Sequence, residues 1–181
     1  MDRSTDAALV VAARQGDLDA FAVLVERYRT PALRVAYGIA GNEAEDAVQD
    51  AFVKAFRKLD GFRADAAFRP WLFTIVANEA RNRRRSLTRR DKLELQVRAE
   101  PPPVGANVEE VVALREQRQR LLEVVRQLPD RHREILALRF FAGLSEGETA
   151  EALSCPIGTV KSRLSRALDL LRSRLGEEVT L

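Results

Sequence analysis

The stretch Leu144–Leu175, "LSEGETAEALSCPIGTVKSRLSRALDLLRSRL", decides the fold. Ser145 followed three residues later by Glu148 is a capping-box signature, so a short helix starts there, with Ala150 and Leu153 facing inward. Ser154-Cys155 reads as a tight turn. Pro156 falls near the first position of the next helix, where its missing N–H would be unpaired in any case. On that helix, at about 100° per residue, Leu164, Ala167 and Leu168 lie within about 80° of Val160 and form a buried side. Ser162, Ser165, Arg166 and Asp169 occupy the opposite arc, flanked by Lys161 and Thr159. Arg163 leans toward the buried side, which suits an ion pair or a phosphate better than a base. The pattern is that of a helix-turn-helix, whose second helix fits a DNA major groove; Lys and Arg read guanine there and Ser reads more loosely. A solvated basic surface is the competing reading, but the cap, the tight turn and the clustered small polar residues favour DNA.

Working outward, helical periodicity dominates and no alternating strand pattern is found. Segments at about 5–16, 17–38, 43–59 and from about Pro70 into the arginines near 85–90 read as helices, with Pro31 kinking or ending the second. Three more are expected at about 108–127, 130–142 and 145–153, before the reading helix at about 156–175. "AEPPPVGAN", 99–107, cannot be helical. The expected fold is all-α, with two small helical domains at 1–92 and 112–181 joined by a flexible, proline-containing linker at 93–111.

Composition fits such a chain. Of 181 residues, 46% are hydrophobic and 31% charged, and 30 basic against 27 acidic side chains leave a net charge of only +3. Lysine stands only at 54, 58, 92 and 161, so arginine supplies the other cations; a GC-rich genome explains that bias as well as phosphate binding does. Cys155 is the single cysteine, so an intramolecular disulfide is excluded and a reducing compartment is expected. "AALVVAA" near the N-terminus is too short for a signal peptide, and no run approaches the roughly 20 apolar residues of a membrane span. A cytoplasmic protein is expected.

Position along the chain matters more than net charge. Between residues 81 and 92 there are seven cations and one anion, Asp91. They follow "PWLFTIVANEARNRRR", in which Thr74, Asn78, Arg81 and Arg85 form one polar stripe, with Trp71, Leu72, Ile75, Val76 and Ala80 on the packed side. Phosphate affinity and a steep salt dependence are expected, against the alternative of a cationic helix end that complements its own dipole. In the preceding loop, "DGFRADAAFR", Phe68 reads as core, whereas Phe62 fits either the core or a platform for an unstacked base. The third helix turns Val48, Ala51, Phe52, Ala55 and Phe56 inward. It leaves Val53 exposed among Asp46, Gln49 and Asp50, a candidate protein-docking patch.

"LPDRHREILALRFFAGLSEGETAEALSCPIGTVKSRLSRALDLLR" resembles the region-4 domain of bacterial sigma-70 family factors of the extracytoplasmic-function (ECF) group, with Gly147 and Thr149 where that family usually has a helix former and isoleucine. "AEDAVQDAFVKAF" and "GFRADAAFRPWLFTIVANEARNRRR" resemble its region-2 domain. The resemblance implies a promoter-specificity subunit of RNA polymerase without an enzymatic activity or a cofactor. Region 4 would read the −35 element with Thr159, Lys161, Ser162, Ser165 and Arg166. Region 2 would recognise and melt the −10 element with Phe62, Arg63, Asn78, Arg81 and Arg85. Asp46, Gln49, Asp50 and Val53 would dock on core RNA polymerase, and the implied partners are the polymerase clamp helices and flap, promoter DNA and an anti-sigma factor.

Two other classes compete with this reading. A two-component response regulator shares a similar reading helix but needs an α/β receiver domain, and no strand pattern is present. A helical adaptor that binds only protein leaves both arginine stripes unexplained. Catalysis has little to stand on: His132 and Cys155 are single residues of their kind, the first expected at a helix-start surface and the second in a turn or the core, with no nucleophile–base pair or metal-ligand cluster around them.

Overall fold

A computed structural model describes residues 5–63, 67–90, 121 and 124–178; the expected helix at 108–127 and the linker at 93–111 fall wholly or mostly outside this range. Among the described residues all regular structure is helical. Helix α1 is Asp6–Arg14 and α2 is Leu18–Ala40, each opened by a side-chain cap. Thr5 Oγ1 accepts from Ala8 N at 3.3 Å and Asp17 Oδ1 from Ala20 N at 3.0 Å, satisfying N–H groups that a helix start leaves unpaired. Helix α2 continues through Pro31 instead of ending there. It stops at Gly41, whose φ of +64° favours glycine and whose Cβ position is approached to 3.4 Å by the Arg126 guanidinium. Helix α3 is Ala44–Lys58 and α4 is Phe68–Arg90, beginning two residues earlier than Pro70.

Helices α2, α3 and α4 pack on one another, and α1 closes their end. Ala32, Ala36, Ala47, Ala51, Ala55, Ala77 and Ala80 are wholly buried, so small side chains let the backbones approach closely. Leu24, Leu72, Phe73 and Val76 fill the remaining space, each worth roughly 1.5–3 kcal/mol when fully buried. Phe56 departs from its expected core position: it is 42% exposed and makes an edge-on contact with Phe21 at 4.9 Å between ring centroids.

The second domain comprises a helical turn at 124–127, then α5 (Asp130–Leu136), α6 (Glu146–Ala152) and α7 (Ile157–Glu178). The helix expected over 130–142 is not uniform: a π turn spans Ala137–Phe141, where Ala142 N donates to Ala137 O at 3.1 Å. Helices α5 and α6 both pack on α7, and Leu128, Leu136 and Ala167 form the local core. His132, expected at the surface, is buried at 4% exposure. On α6 the inward residues are Thr149 and Ala152, one position before the expected Ala150 and Leu153, which are half-buried.

The two domains touch. Helix α4 packs against α6, and α2 against α5 and the π turn. Ala137, Leu138, Ala142, Leu144 and Ala152 join the same buried cluster as Leu72 and Val76. Gly38 permits this approach, because a Cβ there would stand 3.1 Å from Phe141 Cε2. Arg69 at the start of α4 donates to the carbonyl of Ala142, tying the π-turn end to the first domain.

Candidate nucleic-acid interface

The reading helix is held by local chemistry that the sequence specifies. Ser145 Oγ accepts from Glu148 N at 3.2 Å and Glu148 Oε2 accepts from Ser145 N at 2.7 Å, closing the capping box. The hydrogen bond from the Ser145 backbone is the main reason that the Glu148 carboxyl sits below its ordinary pKa. Ser154 takes a left-handed φ of +49°, which turns the chain sharply into α7. Val160 and Ala167 are fully buried and fix the rotation of α7 about its axis. That rotation leaves Lys161, Ser162, Ser165, Arg166 and Asp169 exposed, with Thr159 and Arg163 half-buried. Lys161 Nζ lies 3.7 Å from Glu146 and retains donors that can face a groove, whereas Ser162 Oγ donates its one proton to Thr159 O at 3.1 Å and offers a groove its acceptor lone pairs.

A second cationic surface runs along α4. Asn78 and Arg81 are half-buried and Arg85 is exposed; the cations at 89, 90 and 92 lie outside the described side chains. This stripe meets the second domain. Arg81 Nε is 2.8 Å from Glu134 Oε1 and Arg84 Nη1 is 2.8 Å from Asp130 Oδ1, both acids being on α5. Burial pushes the Glu134 pKa up, Arg81 pulls it back down, and Asp130 adds to the rise.

Phe62 is not a displayed platform. It is 6% exposed, edge-on to Phe68 at 5.9 Å and 4.9 Å from the Trp71 ring. Arg14 braces the chain here, with Nη2 donating to Asp60 O at 3.0 Å and Nη1 to Phe62 O at 3.5 Å. The ring therefore belongs to an aromatic core with Phe68 and Trp71, because a phenylalanine flanked by two further aromatic rings gains more by burial than by exposure to water. Arg63 beside it is exposed.

On α3, Gln49 and Val53 are exposed, and Asp46 and Asp50 keep 60% and 47% of their side-chain surface. The acidic face is not bare: Arg83 of α4 bridges to Asp50 at 2.5 Å, Asp46 at 3.3 Å and Glu43 at 3.7 Å. The hydrogen bond to Asp50 is the leading cause of its raised pKa. Sequence reading offered Arg69 as a plane for an unstacked base and counted Arg83 among the α4 cations, but it missed their partners, as it missed Arg14, Asp130 and Glu134, because each acts on a residue far along the chain and no local period marks such pairs. Among the described residues there is no group of His, Cys, Asp and Glu that could hold a metal ion, and no helix long and apolar enough to cross a membrane.

Comparison with known proteins agrees with this layout. Residues 24–90 match the family model for sigma-70 region 2, and residues 118–171 match that for sigma-70 region 4. The ECF RNA polymerase sigma-E factor of Haemophilus influenzae is 34% identical over 184 residues, covering 96% of this chain and 97% of that protein. The sigma-E factor of Escherichia coli is 34% identical over 183 residues, with 96% of each covered. Among solved structures, CnrH in complex with the cytosolic domain of CnrY is similar at a TM-score of 0.73 and 28% identity, covering 95% of this chain and 97% of that one. The sigma factor RpoE from Bartonella quintana, in complex with the anti-sigma factor NepR, is similar at a TM-score of 0.66 and 32% identity, covering 88% and 97%.

Proposed function

The chain belongs to the sigma-70 family, as a factor of the ECF type, and from that premise we propose that it is a dissociable promoter-specificity subunit of RNA polymerase. It acts by binding and carries out no chemistry of its own. The acidic face of α3, with Asp46, Gln49, Asp50 and Val53, docks on the clamp helices of core polymerase, and the second domain approaches the flap. Helix α7 enters the major groove of the −35 element, where Lys161 and Arg166 donate to guanine edges and Thr159, Ser162 and Ser165 accept or donate at shorter range. The α4 stripe of Asn78, Arg81 and Arg85, with Arg63, holds the −10 strand once it separates. Unstacking a base costs a few kcal/mol, and capture of the free strand offsets it through phosphate contacts and stacking of roughly 1–3 kcal/mol per base. Residues 93–111 connect the two DNA-reading domains along the polymerase. A protein that binds the factor and withholds it from polymerase, an anti-sigma factor, completes the set of partners, and the setting is the cytoplasm.

The observation that carries this reading is the exposed arc of α7, presented by a capped α6 and a left-handed Ser154 turn, in a chain that also displays a cationic α4. Run-off transcription with core polymerase and a promoter library tests it: enrichment of templates sharing −35 and −10 sequences is expected. Transcripts no different from those of core polymerase alone would refute it.

A further inference from the structure

Arg83 is one of the seven cations between residues 81 and 92, yet it does not share the face of Arg81 and Arg85, because helical residues two apart point in different directions. It turns toward α3. Nε and Nη2 donate to Asp50 Oδ2 at 3.0 and 2.5 Å, and Nη1 donates to Asp46 Oδ2 at 3.3 Å and lies 3.7 Å from Glu43 Oε2. One turn on along α3 and one turn back along α4, Lys54 Nζ meets Glu79 Oε1 at 2.5 Å, so two rungs of ion pairs set these helices against each other. Asp46 and Asp50 are themselves one turn apart on α3, a spacing at which two like charges repel. A planar guanidinium bridges both acids in one geometry, whereas a lysine ammonium is a point charge on a flexible stem. The hydrogen bonds fall on Oδ2 of each acid, and among the described residues Oδ1 of neither receives one. Both side chains keep about half of their surface beside the exposed Gln49 and Val53, so these carboxylates are open to a partner.

We propose that Arg83 is a positioning residue for polymerase docking and not a DNA contact: it holds Asp46 and Asp50 as one preset pair of acceptors for cations on the clamp helices. The inference rests on the docking role proposed for α3. Immobilising side chains on association costs affinity, and a pair already held in place avoids that cost. Arg83 also cancels part of the negative charge of the face, which weakens its attraction at a distance. Long-range charge acts on the association rate, and close contacts act on the dissociation rate. Loss of Arg83 therefore leaves association as fast or faster and shortens the bound state. A cation that merely competed with the clamp for the two acids would do the opposite to dissociation, since its removal would free them for the partner.

Biolayer interferometry of the full chain on immobilised core RNA polymerase reads both rates, with circular dichroism to check that each variant is folded. Arg83→Ala is expected to dissociate about tenfold faster with no loss of association rate. Arg83→Lys keeps the charge without the fork and should recover only part of the residence time. Unchanged or slower dissociation of Arg83→Ala overturns the proposal, and full recovery by Arg83→Lys overturns the role of the fork. The DNA half is read on holoenzyme assembled with saturating core, from the salt dependence of its binding to a labelled single strand carrying the −10 sequence recovered from the promoter library. Arg83→Ala should leave the slope of log affinity against log salt unchanged. A slope shallower by about 0.7 would count one lost phosphate contact and overturn the exclusion of Arg83 from DNA. Asp46→Arg separates this inference from the docking role beneath it. Core binding lost in Asp46→Arg but unaltered in Arg83→Ala sinks the positioning role alone, whereas core binding intact in Asp46→Arg sinks the docking face and Arg83 with it.

Discussion

Arg83 on α4 donates to Asp50 on α3 at 2.5 Å and lies 3.3 Å from Asp46, so the two carboxylates assigned to polymerase docking are arranged by a cation from the neighbouring helix. These pairs are half-exposed, and their removal by Arg83→Ala is expected to change unfolding free energy by no more than about 1 kcal/mol. Asp46→Arg reverses the charge of the patch at its most exposed acid and sets a second cation beside Arg83. Core polymerase should no longer be retained in a pull-down, while helix content by circular dichroism stays unchanged. Full retention of core by Asp46→Arg would remove α3 from the docking surface.

Thr149 is wholly buried on α6, and among the described residues its hydroxyl has no hydrogen-bonding partner. Burying such a group unpaired costs roughly 1–3 kcal/mol. Thr149→Val retains the branched shape and removes the hydroxyl, so the variant is expected to be more stable by about 1–2 kcal/mol in urea unfolding. Ser145→Ala moves the other way, by about 1 kcal/mol, through loss of the cap. Equal midpoints for Thr149→Val and the parent chain would show that the hydroxyl is satisfied in solution.

His132 sits in the second domain, buried on α5 with Arg131, Arg163 and Arg166 as its charged neighbours, and its pKa is lowered first by burial and then by those cations. A base with a depressed folded pKa binds fewer protons folded than unfolded. Its contribution is therefore neutral well above about pH 6.5, and stability falls as pH drops through that value toward the lower folded pKa. Glu134, raised by burial, works in the opposite sense: folded protein holds its proton more tightly, so stability from this group is lost as pH rises through the carboxylate range. Unfolding midpoints between pH 7.5 and 5.5 should fall for the parent chain and fall less for His132→Gln, two pH values chosen to bracket roughly the ordinary imidazole pKa. A parallel decline in both proteins would show that His132 is not the titrating group.

The helix-turn-helix was legible because each of its devices is local: Ser145 and Glu148 cap one another within one turn, and the 3.6-residue period places Lys161, Ser162, Ser165 and Arg166 outward. The third helix was legible on the same grounds up to Phe56, whose exposure depends on how far α2 extends over it and not on its own period. His132 was expected at the surface and Phe62 was left open between core and platform for a shared reason. Their neighbours in space, α7 for one and the Phe68–Trp71 pair for the other, come from separate turns of the chain, so no window of sequence reports their burial. The closed arrangement of the domains depends on Gly38, Phe141 and Arg69, residues far apart in sequence, and lay beyond any periodicity.

The burial of Phe62 changes what its mutation should do. Its ring meets Phe68 and Trp71 at 5.9 and 4.9 Å, and the adjoining backbone is braced by Arg14, so Phe62→Ala leaves a cavity in an aromatic cluster. A loss of roughly 3–5 kcal/mol of stability is expected. Defective promoter opening by that variant would then reflect a weakened domain and would say little about stacking on DNA. Asn78→Ala separates the effects, because Asn78 is half-buried on the polar stripe beside Arg81 and contributes little to the core. It should leave the unfolding midpoint, core binding and −35 binding near those of the parent chain while reducing strand opening. A template with a pre-melted −10 bubble should restore much of its transcription, since the variant no longer has to separate the strands. Permanganate reactivity at the −10 thymines reads opening directly, and normal reactivity with Asn78→Ala would take this side chain out of the melting step.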